Sequence, residues 1–263
     1  MTTGMICVSI SFILSLAAWF FIPRERVILF FLNHANEYLV RAAPREENSS
    51  PFLDPKTFKW TEKFRKYHKE ILNEYYDYVN RRPVIPEYRS LNETLAAHTF
   101  GWRSLFLRVF NHDTDAMENF SLTKTLLDGL EKQGVTCTTA YLSLLDPITF
   151  IPPHVGVLKG VLRYHLGLIV PEDKDDCFIV VDGHKKNWSV GDDMMFDDTF
   201  LHHVTNRTGQ KRLVLFLDIK RKFPHNDLAN MINDTIIWFV GQSEVSQSLV
   251  DGANKVHHRS ILQ

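Results

Sequence analysis

Cysteine is scarce in this chain. Cys7, Cys137 and Cys177 are the only three, and none belongs to a C-x-x-C pair. That excludes a zinc cluster and a disulfide framework, and leaves open a single Cys137–Cys177 bridge. An excess of one charge is equally absent. Thirty Lys and Arg stand against 31 Asp and Glu, scattered rather than banked, so nucleic acid is not an expected partner. A hydrophobic content of 44% with 23% charged residues is ordinary for a globular protein and excludes disorder as the main state.

What is there begins at the N-terminus. "MICVSISFILSLAAWFFI" (5–22) carries no charge and approaches the ~20 residues that cross a bilayer as a helix. "MTTG" before it lacks the Lys or Arg of a signal peptide, so the expectation is a retained anchor and a single-pass membrane protein. Two signals oppose each other over its side. Arg24, Arg26, Arg41 and Arg45 place the bulk in the cytoplasm, whereas N-x-S/T sequons at Asn48, Asn92, Asn119, Asn187, Asn206 and Asn233 suit the endoplasmic reticulum lumen.

The chain then divides into an anchor (1–22), an interfacial helix and linker (23–58), a main domain (59–225), and a C-terminal helix with a frayed tail (226–263). "WTEKFRKYHKEILNEYYDYVN" (60–80) has helical spacing. So has "SLTKTLLDGLEKQG" (121–134), with Ser121 as N-cap and Gly134 as stop. From Cys137 the texture changes to short β-type runs, "CTTAYLSLL", "VLRYHLGLIV", "CFIVVDG", "NWSVGDDMMF", "HHVTNRT" and "KRLVLFLDI". Their spacing predicts a mainly β sandwich, barrel or jelly roll with flanking helices. In "RYHLGLIV", period 2 puts Arg163, His165 and Gly167 on one face. A guanidinium and an imidazole on the same face of a central strand call for water or a ligand.

The chemistry-bearing residues are His154 in a turn after two prolines, His202 in "FDDTFLHHV", and Arg212 opening "RLVLFLDI". Two imidazoles suit a first-row metal, and a guanidinium fork suits a carboxylate. Adjacent His202 and His203 face opposite ways on a strand, so one of them can face a metal. Asp197 and Asp198 read as turn-shaping residues, Asp146 and Asp218 as structural.

"PHVG", "RYHLGL", "VDG", "MFDDTFLHHV" and "RLVLFLDI", in that order, resemble the aspartyl/asparaginyl β-hydroxylase family of Fe(II)/2-oxoglutarate-dependent dioxygenases, both its lipid A 2-hydroxylases and its peptidyl-aspartyl hydroxylases. The resemblance implies a double-stranded β-helix (jelly roll, cupin-like). It implies His154 and His202 as iron ligands, Arg212 and Ser143 on the distal carboxylate of 2-oxoglutarate, and Arg163 and His165 at its proximal end. It further implies hydroxylation of a lipid acyl chain or a peptidyl Asp/Asn side chain, with O2 consumed and succinate and CO2 formed. Two positions depart from the pattern. Gly156 stands where many such enzymes, the lipid hydroxylases included, place a carboxylate ligand. The peptidyl-aspartyl enzymes are similar in having glycine there, so the resemblance implies a competent two-histidine site and favours the peptidyl branch at this position. Val161 stands where the peptidyl enzymes have an Arg for the substrate carboxylate. The rival reading is a non-catalytic cupin-like binding or scaffold module whose metal site decayed at Gly156. A zinc hydrolase lacks an evident general base.

Overall fold

The computed structural model describes residues 24–44, 47, 50–82, 84–91 and 99–259. Helix α1 (Arg24–Ala42) comes first, followed by β1 (Phe52–Leu53), α2 (Thr61–Lys66), α3 (His68–Arg81) and the short α4 (Tyr88–Leu91). Strands β2 (Trp102–Val109) and β3 (His112–Asp113) precede α5 (Ser121–Glu131). Next come β4 (Cys137–Leu145), β5 (Thr149–His154), β6 (Val161–Ile169), β7 (Cys177–Val181), β8 (His184–Asn187), β9 (Asp193–Phe196), β10 (His202–Asn206) and β11 (Arg212–Lys220). Helices α6 (Asp227–Gly241) and α7 (Glu244–Arg259) follow.

The strands form two antiparallel sheets, a large one in the order β1-β9-β6-β11-β4-β2-β3 and a small one in the order β5-β10-β7-β8. From β4 onward the chain passes repeatedly between the two, the winding that a jelly roll requires. Alternation along β11 explains the layering. Leu213, Leu215, Leu217 and Ile219 join Leu142, Leu144, Tyr164 and Leu166 against Trp60, Phe64 and Ile71 of the helical side. The opposite face, with Val214, Leu145 and Phe196, packs on Ile151, Ile179, Val181 and Val204 of the small sheet. Ser143 of β4, Arg163 and His165 of β6, and Arg212 and Asp218 of β11 share this inner face by parity.

Several expectations are corrected. A single-pass membrane protein is not supported: among the described residues no helix is long and apolar enough to cross a membrane, and the run 5–22 lies outside them. The C-terminal part of α1, the helix expected at the interface, packs on the protein itself. Leu39 and Ala43 are buried with Phe223, Ala229 and Ile236. Cys137 and Cys177 are free buried thiols, in the helix-side and inter-sheet cores respectively, so no bridge joins them. The helix expected over 60–80 is broken at Tyr67 into α2 and α3. The tail expected to fray contains α7, whose Leu249 and Val250 pack on Phe106, Val109 and Tyr141. Two of the sequons, Asn206 and Asn233, are buried and hydrogen-bonded to backbone carbonyls, which leaves no room for a glycan.

Ser121 does not cap α5; no side chain of the preceding turn does. The Glu74 carboxylate of α3 accepts instead from the Leu122 and Thr123 backbone N–H groups at 2.6 and 3.1 Å and from Thr123 Oγ1 at 2.7 Å. A charge at the helix N-terminus satisfies donors that would otherwise be orphaned. Glu74→Ala is therefore expected to destabilise the fold by about 1–2 kcal/mol, in the range of a lost N-cap, measured by urea denaturation. Ser121→Ala is expected to leave stability nearly unchanged.

Candidate active site

Strand β10 runs antiparallel to β5 with His202 directly opposite His154. Their ring centroids lie 4.0 Å apart with the planes inclined at 52°. His154, expected in a turn, instead ends an edge strand, where its two prolines need no ladder partner. The Nδ1 atoms of His154 and His202 each lie 2.9 Å from a carbonyl two residues back, of Pro152 and Phe200. A carbonyl only accepts, so both Nδ1 atoms donate and both Nε2 atoms keep a free lone pair, the state of a metal-ligating imidazole. Burial, reinforced by the neighbouring His154, pushes His202 down to about 4. His203 faces away, beside Phe150 and Phe178.

The space beside Gly156 is already filled. A Cβ there would stand 2.0 to 2.4 Å from the Asp198 carboxylate, and the Gly156 N–H donates to the Asp198 carbonyl at 2.7 Å. A side chain on residue 156 would have to displace the Asp198 carboxylate, which arrives there from the loop before β10. Asp198 Oδ2 accepts from Arg163 Nε and Nη2 at 2.9 and 2.8 Å, while its buried Oδ1 has no partner. Of the two acids read as turn-shaping, Asp197 does accept from Thr199 N–H and Oγ1. It also takes a 2.7 Å ion pair from buried Lys159 and a bond from Arg221. Asp198 instead faces the site.

Arg163 and His165 do share one face. Arg163 is shared between Asp198 and Asp218; burial works against its charge, but the two carboxylates hold its pKa well above the ordinary value. Asp218 therefore belongs to the site's lining rather than to the frame. His165 is buried between Phe196 (5.0 Å) and Phe216 (4.6 Å), and burial, with Arg212 and Arg163 nearby, holds its pKa well below that of a free imidazole. Phe196 also meets His202 at 6.0 Å, so His165 and the histidine pair line one continuous wall. Arg212 is 2% exposed, lies 4.6 Å over the Trp188 ring and donates to the Ser143 carbonyl at 3.4 Å. Its Nε has no partner, and burial lowers its pKa to about 10, which leaves it charged at neutral pH. Ser143 Oγ accepts from Trp102 Nε1 at 3.0 Å, leaving its own proton free to donate.

Among the described residues no group of three or more His, Cys, Asp or Glu side chains is placed to hold a metal ion. The donors present are two imidazoles with exposed lone pairs, and they fit a two-histidine site. The buried Arg212, which no carboxylate of the described residues pairs with, fits a ligand carboxylate. Asp198 and Asp218, read from the sequence as turn-shaping and structural, contact Arg163, and Trp188, in the turn after β8, carries no sequence signal. Parity along "RLVLFLDI" puts Asp218 on the face of Arg212.

The antiparallel two-sheet fold carries these motifs in this order. The chain belongs to the aspartyl/asparaginyl beta-hydroxylase family, whose sequence profile matches residues 65–222. It is 32% identical over 187 residues to an ornithine lipid ester-linked acyl 2-hydroxylase of Rhizobium tropici, covering 70% of this chain and 64% of that protein. It is 36% identical over 77 residues to the human aspartyl/asparaginyl beta-hydroxylase, covering 29% of this chain and 10% of that protein. The matches span less than two thirds of either relative. Likeness to solved structures is distant. HygX of Streptomyces hygroscopicus, with nickel and 2-oxoglutarate bound, gives a TM-score of 0.40 at 9% identity, over 59% of this chain and 80% of that one.

Two outcomes follow from the geometry. Gly156→Ala is expected to destabilise by about 1–3 kcal/mol through overpacking against Asp198, and much less in an Asp198→Ala background; a double-mutant cycle by chemical denaturation reads the coupling. His202, depressed to about 4, and His165, depressed by burial, stabilise the fold fully above the unfolded imidazole pKa of ~6.5. They lose that contribution as pH falls towards their folded values. With a chelator present, Tm should fall between about pH 6.5 and 4, less steeply in His202→Gln; equal slopes would refute this assignment.

Proposed function

We propose that the chain is an Fe(II)- and 2-oxoglutarate-dependent dioxygenase that hydroxylates an aliphatic carbon, with a lipid acyl chain as substrate in preference to a peptidyl Asp/Asn side chain. The observation that carries the reading is Arg212, a buried guanidinium that no carboxylate of the described residues pairs with and whose Nε has no partner among them. Such burial costs several kcal/mol, and a carboxylate-bearing ligand offsets it. His154 and His202 hold the iron through Nε2. Arg212 and the free Ser143 hydroxyl receive the distal carboxylate of 2-oxoglutarate, and His165, whose buried Nε2 has no partner among the described residues, its proximal end. Bound together, iron and 2-oxoglutarate supply the oxidising power to insert oxygen from O2 into a C–H bond, with succinate and CO2 as by-products. The chain's own part is orientation and the exclusion of water: the carbonyls of Pro152 and Phe200 fix both imidazoles, Asp198 and Asp218 fix Arg163, and the aromatic wall of Phe196, Phe216 and Trp188 keeps the interior dry.

The substrate preference rests on charge. Lys159 is engaged by Asp197, and Arg163 by two carboxylates. Val161, on the inner face by parity with Arg163, is neutral. An acidic side chain therefore finds no spare cation there. Next in sequence to the two histidines stand Val155, Val157 and Leu201, 54%, 83% and 59% exposed, an apolar rim suited to an aliphatic chain. The similarity to the ornithine lipid hydroxylase supports the same choice.

Anaerobic titration with Fe(II) and 2-oxoglutarate is expected to give a visible charge-transfer band that is lost in His202→Ala and weakened at least tenfold in 2-oxoglutarate affinity in Arg212→Ala, a bidentate ion pair being worth well over 1.4 kcal/mol. No band from folded protein would favour the binding-module reading. Succinate release driven by an acidic peptide and not by an acyl lipid would reverse the substrate preference.

A further inference from the structure

Trp188 lies in the turn between β8 and β9 and is 2% exposed. On one side its Nε1 stands 3.4 Å from His165 Nδ1, with the rings inclined at 21° and their centroids 6.1 Å apart. On the other, the Arg212 guanidinium lies over the indole. An indole N–H can only donate. His165 Nδ1 therefore accepts, and the neutral ring carries its proton on Nε2. Among the described residues that buried Nε2 has no acceptor, and neither has Nε of Arg212. Two orphaned donors thus flank one indole, and buried donors in native proteins are almost always satisfied.

We infer that Trp188 is a positioning residue for the dicarboxylate co-substrate: its N–H locks His165 in the Nε2–H tautomer while its ring face holds the Arg212 guanidinium, so that both ends of 2-oxoglutarate meet donors set in advance. The inference rests on the 2-oxoglutarate reading above. Phe196 and Phe216 hem the imidazole in, so the tautomer rather than the ring orientation decides what faces the ligand. Without the indole N–H, His165 is free to move its proton to Nδ1, and Nε2 then turns a lone pair towards a carboxylate. That exchanges an attraction for a repulsion with no change of shape. Neither residue is reached by a local motif, because Trp188 sits in a turn and its two partners on separate strands.

Trp188→Phe separates the roles, since phenylalanine retains an aromatic face for Arg212 and removes the N–H. Long-range 1H–15N correlation spectra of the metal-free, ligand-free protein read the His165 tautomer directly. The expected result is Nε2–H in the wild type and Nδ1–H, or a mixture, in Trp188→Phe. With Mn(II) in place of iron, calorimetry is expected to show 2-oxoglutarate affinity reduced about tenfold in the variant, the size of one hydrogen bond to a charged group, with Tm little changed. Wild-type His165 as Nδ1–H overturns the inference even if the variant fails to fold. So does a folded variant with unchanged tautomer or unchanged affinity. Wild-type protein that binds no 2-oxoglutarate at all overturns the functional reading itself, an outcome distinct from either of these.

Discussion

The site depends first on the antiparallel pairing of β6 with β11 at the centre of the large sheet. Register sets Asp218 against Arg163 and Phe216 against His165, and parity sends all four to the inner face while Leu215, Leu217, Tyr164 and Leu166 go to the helical side. A slip of one residue would bury the ionic groups among those leucines. The helices α2, α3 and α5 serve the chemistry at a distance: by packing on the outer face they hold the register that aims the inner one.

Charge inside the fold is mostly neutralised locally. Lys159 and Arg221 share Asp197, which ties the loop after His154 to the loop before His202. Arg163 sits between two acids. Against that background Arg212 stands apart, because it has an aromatic face on one side and no anion among the described residues. In a low-dielectric interior such a group is tolerated where a ligand completes it.

Much of this was legible in the sequence, for identifiable reasons. The alternation in "RYHLGLIV" gave the shared face of Arg163 and His165, and the motif order gave the family. What was not legible depended on contacts between segments distant in sequence. The cap on α5 comes from Glu74, 48 residues before Leu122, so a local rule pointed wrongly to Ser121. The prolines before His154 read as a turn because nothing local shows that the strand lies at an edge. The C-terminal residues after 243 looked frayed because their apolar face has meaning only against β2. Asp198 resembled any turn aspartate until the space beside Gly156 was seen to be its own.

That last juxtaposition constrains how such a protein can change over generations. With the present backbone, positions 156 and 198 compete for one volume, so an acid cannot be gained at the first while the second keeps its carboxylate. Passage between a glycine-bearing and an acid-bearing form requires two substitutions, and the order matters. Losing Asp198 first sacrifices a partner of Arg163, whereas gaining the acid first puts two carboxylates in the room of one. An aligned column at position 156, read alone, reports only half of a coupled pair.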